Sequence, residues 1–147
     1  MNENEGVQLL MMKVDGKPFA IEVDSVLEVL EAVQPEEILD QPAEIAGLIN
    51  IRGDIIAVSS LRAAAARHDS AGETVSMAVD PADRIIVVRE GEFKLGILVD
   101  HVETVQLYHE EQLFAQSLSP LAFRLVKVTG RTVELVDLRD YITGYHI

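Results

Sequence analysis

The amino-acid sequence predicts an all-β protein built as two small stacked barrels, and three observations predict it. Short runs rich in Val and Ile recur along the chain, Gly-centred turn signals separate them, and a pattern in the first half returns in the second. Short strands at near-regular spacing with turns of this kind indicate barrels or sandwiches rather than an open sheet.

The elements follow in order. Val7 to Val14 leads into Asp15-Gly16, a dipeptide favoured in two-residue hairpins, and Phe19 to Val23 returns. Leu48-Ile49-Asn50-Ile51 and Ile55-Ile56-Ala57-Val58 flank Arg52-Gly53-Asp54 as a second hairpin. Ile85 to Val88 and Leu95 to Val99 flank Glu90-Gly91-Glu92, and Leu125 to Val128 and Thr132 to Val136 flank Thr129-Gly130-Arg131. Leu61 to Arg67, with four consecutive alanines, favours a short helix, and Leu138 to Tyr145 reads as another ending near Gly144. Arg67 to Asp83 is polar and turn-rich and reads as a mobile connection, with Thr74 to Val79 as a small extra strand.

The repeat decides the architecture. Ile21-Glu22-Val23-Asp24-Ser25-Val26-Leu27-Glu28-Val29 matches Ile97-Leu98-Val99-Asp100-His101-Val102-Glu103-Thr104-Val105 at an offset of 76. Leu48 to Gly53 matches Leu125 to Gly130, and Val58 to Arg62 matches Leu135 to Arg139, at an offset of 77. Two matches in the same order at nearly one offset read as two copies of one small barrel. Each copy is too small for a generous core, so the two are expected to pack through a shared apolar interface. The expected partition of this single domain, 1–147, is a first subdomain at about 15–67, a connecting loop at about 68–83 and a second subdomain at about 84–142. In each V-D-x-V-x-x-V run the chain is expected to leave a strand, turn at the Asp and place the valines inward. Asp24 and Asp100 are expected to bond nearby backbone N–H groups, a common use of Asp in turns.

Composition narrows the function. The chain has 147 residues and a net charge of −13 from 25 acidic and 12 basic residues. That balance argues against nucleic acid, which is recognised through basic patches, and against an anionic membrane surface. Without cysteine there are no disulfides and no thiolate metal sites. The acidic opening Met1-Asn2-Glu3-Asn4-Glu5 lacks the basic region of a signal peptide, and no apolar run approaches the roughly 18 residues that span a bilayer. His68, His101, His109 and His146 follow no metal-ligand spacing, and no nucleophile-elbow, phosphate-loop or dinucleotide motif occurs. No enzyme activity, metal or cofactor is expected. An enzyme or small-ligand domain on paired barrels is the alternative of another class, because catalytic groups can converge from distant positions. A deep pocket with convergent polar groups is what would mark it.

The run Gly47-Leu48-Ile49-Asn50-Ile51-Arg52-Gly53-Asp54-Ile55-Ile56-Ala57-Val58, followed by Leu61-Arg62, resembles the signature of the CheW family of chemotaxis adaptors. Ile21 to Val29 resembles that family's opening strand and V-x-E-V element. Gly96 to Val102 resembles its G-[IL]-[LV]-V-D-x-V, and Glu134 to Leu138 its closing motif. The resemblance covers about residues 7–143. It implies two five-stranded SH3-like barrels around a shared core, with short helices. It also implies a cytoplasmic, non-enzymatic scaffold at the inner face of the membrane, bridging chemoreceptor cytoplasmic tips to the regulatory domain of a CheA-type histidine kinase. Three departures stand out: Ser59-Ser60 where the family usually has an Asp before Leu-Arg, Ala57 in place of a common proline, and an atypical Tyr108 to Phe123. They leave open a divergent paralogue serving pilus motility or another receptor pathway. The Ser60 substitution is expected to cost that corner a carboxylate–backbone bond.

The resemblance also nominates residues. Arg52, held by Glu28, is implied to sit near the receptor and kinase surfaces, and a charge-assisted pair would fix its geometry. Val26, Gly47 and Val105 map onto the family's receptor-contact groove, although Gly47 equally suits a close backbone approach or a positive φ. Ile55 and Val58 fall on the kinase-facing side or in ordinary packing.

Overall fold

β-Branched residues and Leu, punctuated by Gly turns, form ten strands in the computed structural model, which describes residues 6–69, 78–108, 123–128 and 130–143. β1 (Val7–Val14), β2 (Lys17–Glu22) and a 3₁₀ turn at Val23–Ser25 open the chain. β3 (Val26–Glu31), β4 (Ile45–Ile51), β5 (Asp54–Ser60) and helix α1 (Leu61–Asp69) follow. Then come β6 (Arg84–Glu90), β7 (Phe93–Val99), β8 (His101–Tyr108), β9 (Phe123–Val128), β10 (Arg131–Val136) and helix α2 (Leu138–Thr143). Tyr145, the expected end of α2, lies outside the described residues, as does most of the expected extra strand at Thr74 to Val79; Ala78 to Asp80 are not strand.

The strands form two five-stranded sheets, ordered β8-β1-β2-β10-β9 and β3-β6-β7-β5-β4. The all-β expectation holds, but the expected halves do not. One compact unit comprises residues 1–25 and 102–147, and the other residues 26–101. Each sheet thus takes two strands from one copy of the repeat and three from the other. The reason lies in the repeated V-D-x-V run itself. After β2 the chain leaves the first sheet to form β3 in the second, and after β7 it leaves the second to form β8 in the first. The Asp of each motif marks the crossing. The valines do not all point inward: Val26 and Val102 are half-buried, while Val29 and Val105 are exposed.

Register shows how faithful the repeat is. β2 and β10 pair in parallel with Ala20 opposite Leu135, and β5 and β7 pair in parallel with Val58 opposite Gly96. Those two pairs are the same positions at offsets of 76 and 77. The core of each unit repeats as well. Leu9, Met11, Val126, Val133 and Leu135 cluster in one unit. Their counterparts Ile85, Val87, Ile49, Ile56 and Val58 cluster in the other. β1 and β6 are interior strands, and Leu9 to Met12 and Ile85 to Val88 are buried on both faces. Burial on both faces explains why these read as continuous apolar runs rather than alternation.

At the parallel pairing the two units differ at both positions, Ala20 and Leu135 in one against Gly96 and Val58 in the other. A Cβ on Gly96 would lie 3.0 Å from Ile85 Cγ2 and 3.2 Å from Val58 Cγ2, both β-branched and fully buried. Such side chains are stiff at χ1 and yield poorly. Gly96→Ala is therefore expected to destabilise the protein by about 1–3 kcal/mol through overpacking. Urea denaturation measures it, and an unchanged midpoint would mean that Ile85 and Val58 have room to shift.

Candidate functional site

The candidate residues gather on the β4–β5 hairpin and the strand that faces its tip. β4 and β5 pair from Gly47↔Val58 to Ile51↔Asp54, so Arg52 and Gly53 form a two-residue loop. Both have positive φ, 49° and 92°, the signature of a type I′ turn. The Asn50 side-chain oxygen accepts a hydrogen bond from the Gly53 N–H at 2.9 Å. From this tip the Arg52 guanidinium donates to the Glu28 carboxylate on β3. β3 and β4 are the two edge strands of their sheet, so the ion pair joins edge to edge. Glu28 is half-buried on β3, whereas the Arg52 side chain is 74% exposed. An ion pair this open is worth only about 0–1 kcal/mol, so it shapes the surface more than it stabilises the fold.

Gly47 sits at a β-bulge between Ile45 and Gly47 on β4, with φ of 148°. Beside it Glu36 and Leu48 exchange two backbone hydrogen bonds of 2.8 Å. A Cβ at Gly47 would stand 2.2 Å from the Glu36 carbonyl oxygen. Close backbone approach and positive φ, both anticipated for this glycine, occur together.

Val26 precedes Glu28 on β3 and is half-buried, and Ile55 is 61% exposed on β5. Phe93, equally exposed, lies on β7 level with Ile55, three residues upstream of the Val58↔Gly96 pair on each strand. The Lys94 ammonium bonds Asp54 at 3.2 Å alongside. Sequence reasoning missed Phe93, although an aromatic two residues after a turn glycine and flanked by Glu92 and Lys94 is a visible signal. Val58 is corrected: it is fully buried in the core cluster and presents no surface, because alternate residues of β5 face opposite ways. Val105 belongs to the other unit, on β8, and is exposed there with Leu107.

The α1 corner departs from expectation twice. The Ser60 hydroxyl accepts a hydrogen bond from the Ala63 N–H at 3.2 Å, the N-cap bond of α1. Serine therefore replaces the usual aspartate without losing the cap. Asp100, expected to bond a backbone N–H, accepts from the guanidinium of Arg62, the second residue of α1. That pair ties α1 to the point where the chain leaves the second sheet. Asp24, its counterpart, is exposed in the 3₁₀ turn.

A cavity of about 640 Å³ opens among Gln34, Pro35, Glu37, Ile38, Gln41 and Pro42. Among the described residues that line it, Glu37 is the one with an ionisable side chain. A lone carboxylate provides no acid–base pair or activated nucleophile, so this cavity does not favour the enzyme reading.

Comparison with known proteins agrees with the resemblance read from the sequence. The family model described as CheW-like domain matches residues 8–143. The chain is 27% identical over 139 residues to the chemotaxis protein CheW of Thermotoga maritima, covering 92% of this chain and 87% of that one. The crystal structure of the scaffolding protein TtCheW from Thermoanaerobacter tengcongensis superposes with a TM-score of 0.74 at 22% identity, covering 90% and 85% of the two chains.

The Gly47 geometry yields a test. Gly47→Ala must move the Glu36 carbonyl or the bulge, with backbone strain of about 1–3 kcal/mol in addition. The expected result is a lower midpoint in chemical denaturation and faster amide exchange at Glu36 and Leu48. Wild-type exchange at both positions would show that the close approach is not needed.

Proposed function

This chain belongs to the CheW-like domain family, and we propose that it is a non-enzymatic adaptor coupling chemoreceptor cytoplasmic tips to the regulatory domain of a CheA-type histidine kinase. The observation that carries this reading is the Arg52–Glu28 pair at an exposed hairpin tip, within the stretch that resembles the family signature. Arg52 is exposed enough to be met by a partner, and Glu28 restricts where its guanidinium lies. Ile55 and Phe93 supply exposed apolar area on the same hairpin and its neighbour, bordered by the Asp54–Lys94 pair. An apolar centre with a polar rim is the anatomy of a protein interface. Val26 and Gly47 are further proposed contacts, Gly47 by shaping the backbone rather than by a side chain, and Val105 is a separate proposed contact on the other unit. Among the described residues no helix is long and apolar enough to cross a membrane. The proposed place of action is the cytoplasm, on the inner face of the membrane, reached through receptor arrays.

The test is a titration of purified protein against two probes, the CheA-type regulatory domain and the receptor tip encoded in the same genome. Wild type should bind each. Arg52→Glu should weaken binding roughly tenfold or more, as for a central interface arginine, while stability falls by only about 0–1 kcal/mol. The swap Arg52→Glu with Glu28→Arg should restore stability but not full binding, because the guanidinium is displaced. Normal binding of both probes by Arg52→Glu would remove Arg52 from the site, and failure of the wild type to bind either would falsify the adaptor reading.

A further inference from the structure

The β4–β5 turn carries an unexpected residue. Type I′ turns favour Asn, Asp or Gly at the first central position, because a short polar side chain can bond locally in the left-handed conformation. The β1–β2 turn obeys this: Asp15-Gly16, with φ of 51° and 76°, closes between Val14 and Lys17. The β4–β5 turn has the same length and the same signs of φ, yet Arg52 stands where Asp15 stands. Arginine has no short acceptor for the turn, and its Cβ makes the left-handed conformation unfavourable. A residue held in a sparsely populated conformation persists only where its surroundings enforce it.

Two contacts enforce it here. One is the ion pair to Glu28, but an ion pair with a 74% exposed arginine is strongly screened and holds a backbone poorly. The other is the bond from Gly53 N–H to Asn50 Oδ1, which spans the loop from one residue before its closing pair. It acts on the backbone directly and supplies the local acceptor that Arg52 lacks. Asn50 is itself exposed and belongs to neither core cluster.

We propose that Asn50 is the positioning residue for Arg52: by binding the Gly53 amide it locks the left-handed turn and presents the guanidinium to the partner in a preorganised geometry. This rests on the adaptor reading above for its consequence in binding, but not for its structural part. Preorganisation contributes affinity by reducing the ordering that binding must impose.

The experiment has two arms. The first needs no partner. In Asn50→Ala, NMR should show faster amide exchange at Gly53 and a changed HN–Hα coupling at Arg52, with the fold retained; Asn50→Asp, which keeps the acceptor, should restore both. Wild-type exchange and coupling in Asn50→Ala would overturn the proposal whatever the partners do. The second arm titrates the regulatory domain and the receptor tip against Asn50→Ala, Arg52→Ala and the double variant, each checked to be folded at the assay temperature. Asn50→Ala should weaken binding roughly fivefold or more, and should add nothing in the Arg52→Ala background. A further loss in the double variant equal to that in the single one would show that Asn50 acts apart from Arg52 and would overturn the proposal. So would wild-type binding by Asn50→Ala when Arg52→Ala binds weakly. If both single variants bound like wild type, the Arg52 site of the adaptor reading would fall, and the first arm would still decide the role of Asn50 in the turn.

Discussion

Two parallel strand pairings hold this architecture together. Remove the pairing of β2 with β10, and the first sheet separates into β8-β1-β2 and β10-β9. Remove that of β5 with β7, and the second separates into β3-β6-β7 and β5-β4. Every other neighbouring pair among the described strands that pairs across a turn is a local antiparallel hairpin. Parallel neighbours cannot be joined by a tight turn and need a long connection. Here the connection from β2 to β10 passes through strands of the other sheet, whereas that from β5 to β7 runs through α1 and β6, a strand of the same sheet. In the second sheet the pairing also carries a steric condition, since a Cβ on Gly96 would crowd Val58 on β5 and Ile85 on β6.

That constraint explains what could and could not be read from the sequence. The hairpins were legible because turn dipeptides and apolar runs are local signals. The two cores were legible because the repeat carries both apolar positions and register. The partition was not. A repeat states which segments are equivalent, and equivalent segments fit two separate copies or two exchanged ones equally well. The V-D-x-V run contained the answer, but only as a place where a strand ends. Leu27, Val29, Val105 and Leu107 are exposed on β3 and β8, so these edge strands lacked the burial pattern that marks the interior ones.

Local spacing carries a signal at two side chains that the sequence reading passed over. Ser60 directly before Leu61-Arg62-Ala63 is a recognisable N-cap, and Asn50 three residues before Gly53 is a recognisable local acceptor. The Arg62–Asp100 pair spans 38 residues and the Arg52–Glu28 pair 24, and no composition or period points to either. The second was anticipated through family resemblance alone. The first followed from packing, since α1 rests against β7, and Asp100 directly follows that strand.

The β4–β5 hairpin divides its residues between folding and the recognition proposed for its outer face. Ile49, Ile56 and Val58 enter the core, whereas Asn50, Arg52 and Ile55 stay outside it, as the two-residue period of a strand requires. The recognition site proposed above therefore needs no loop of its own: it lies on the outer face and tip of an element that the core already holds in register, a rigid mounting for a partner-facing group. The same economy couples the two roles at Gly47 and Gly53. One admits the Glu36 backbone beside β4 and the other takes the second left-handed position of the turn, so both shape the surface without offering a side chain to it. A binding defect from changing either glycine reports on backbone geometry. Arg52 and Ile55, exposed on that backbone, are where a defect reports on contact.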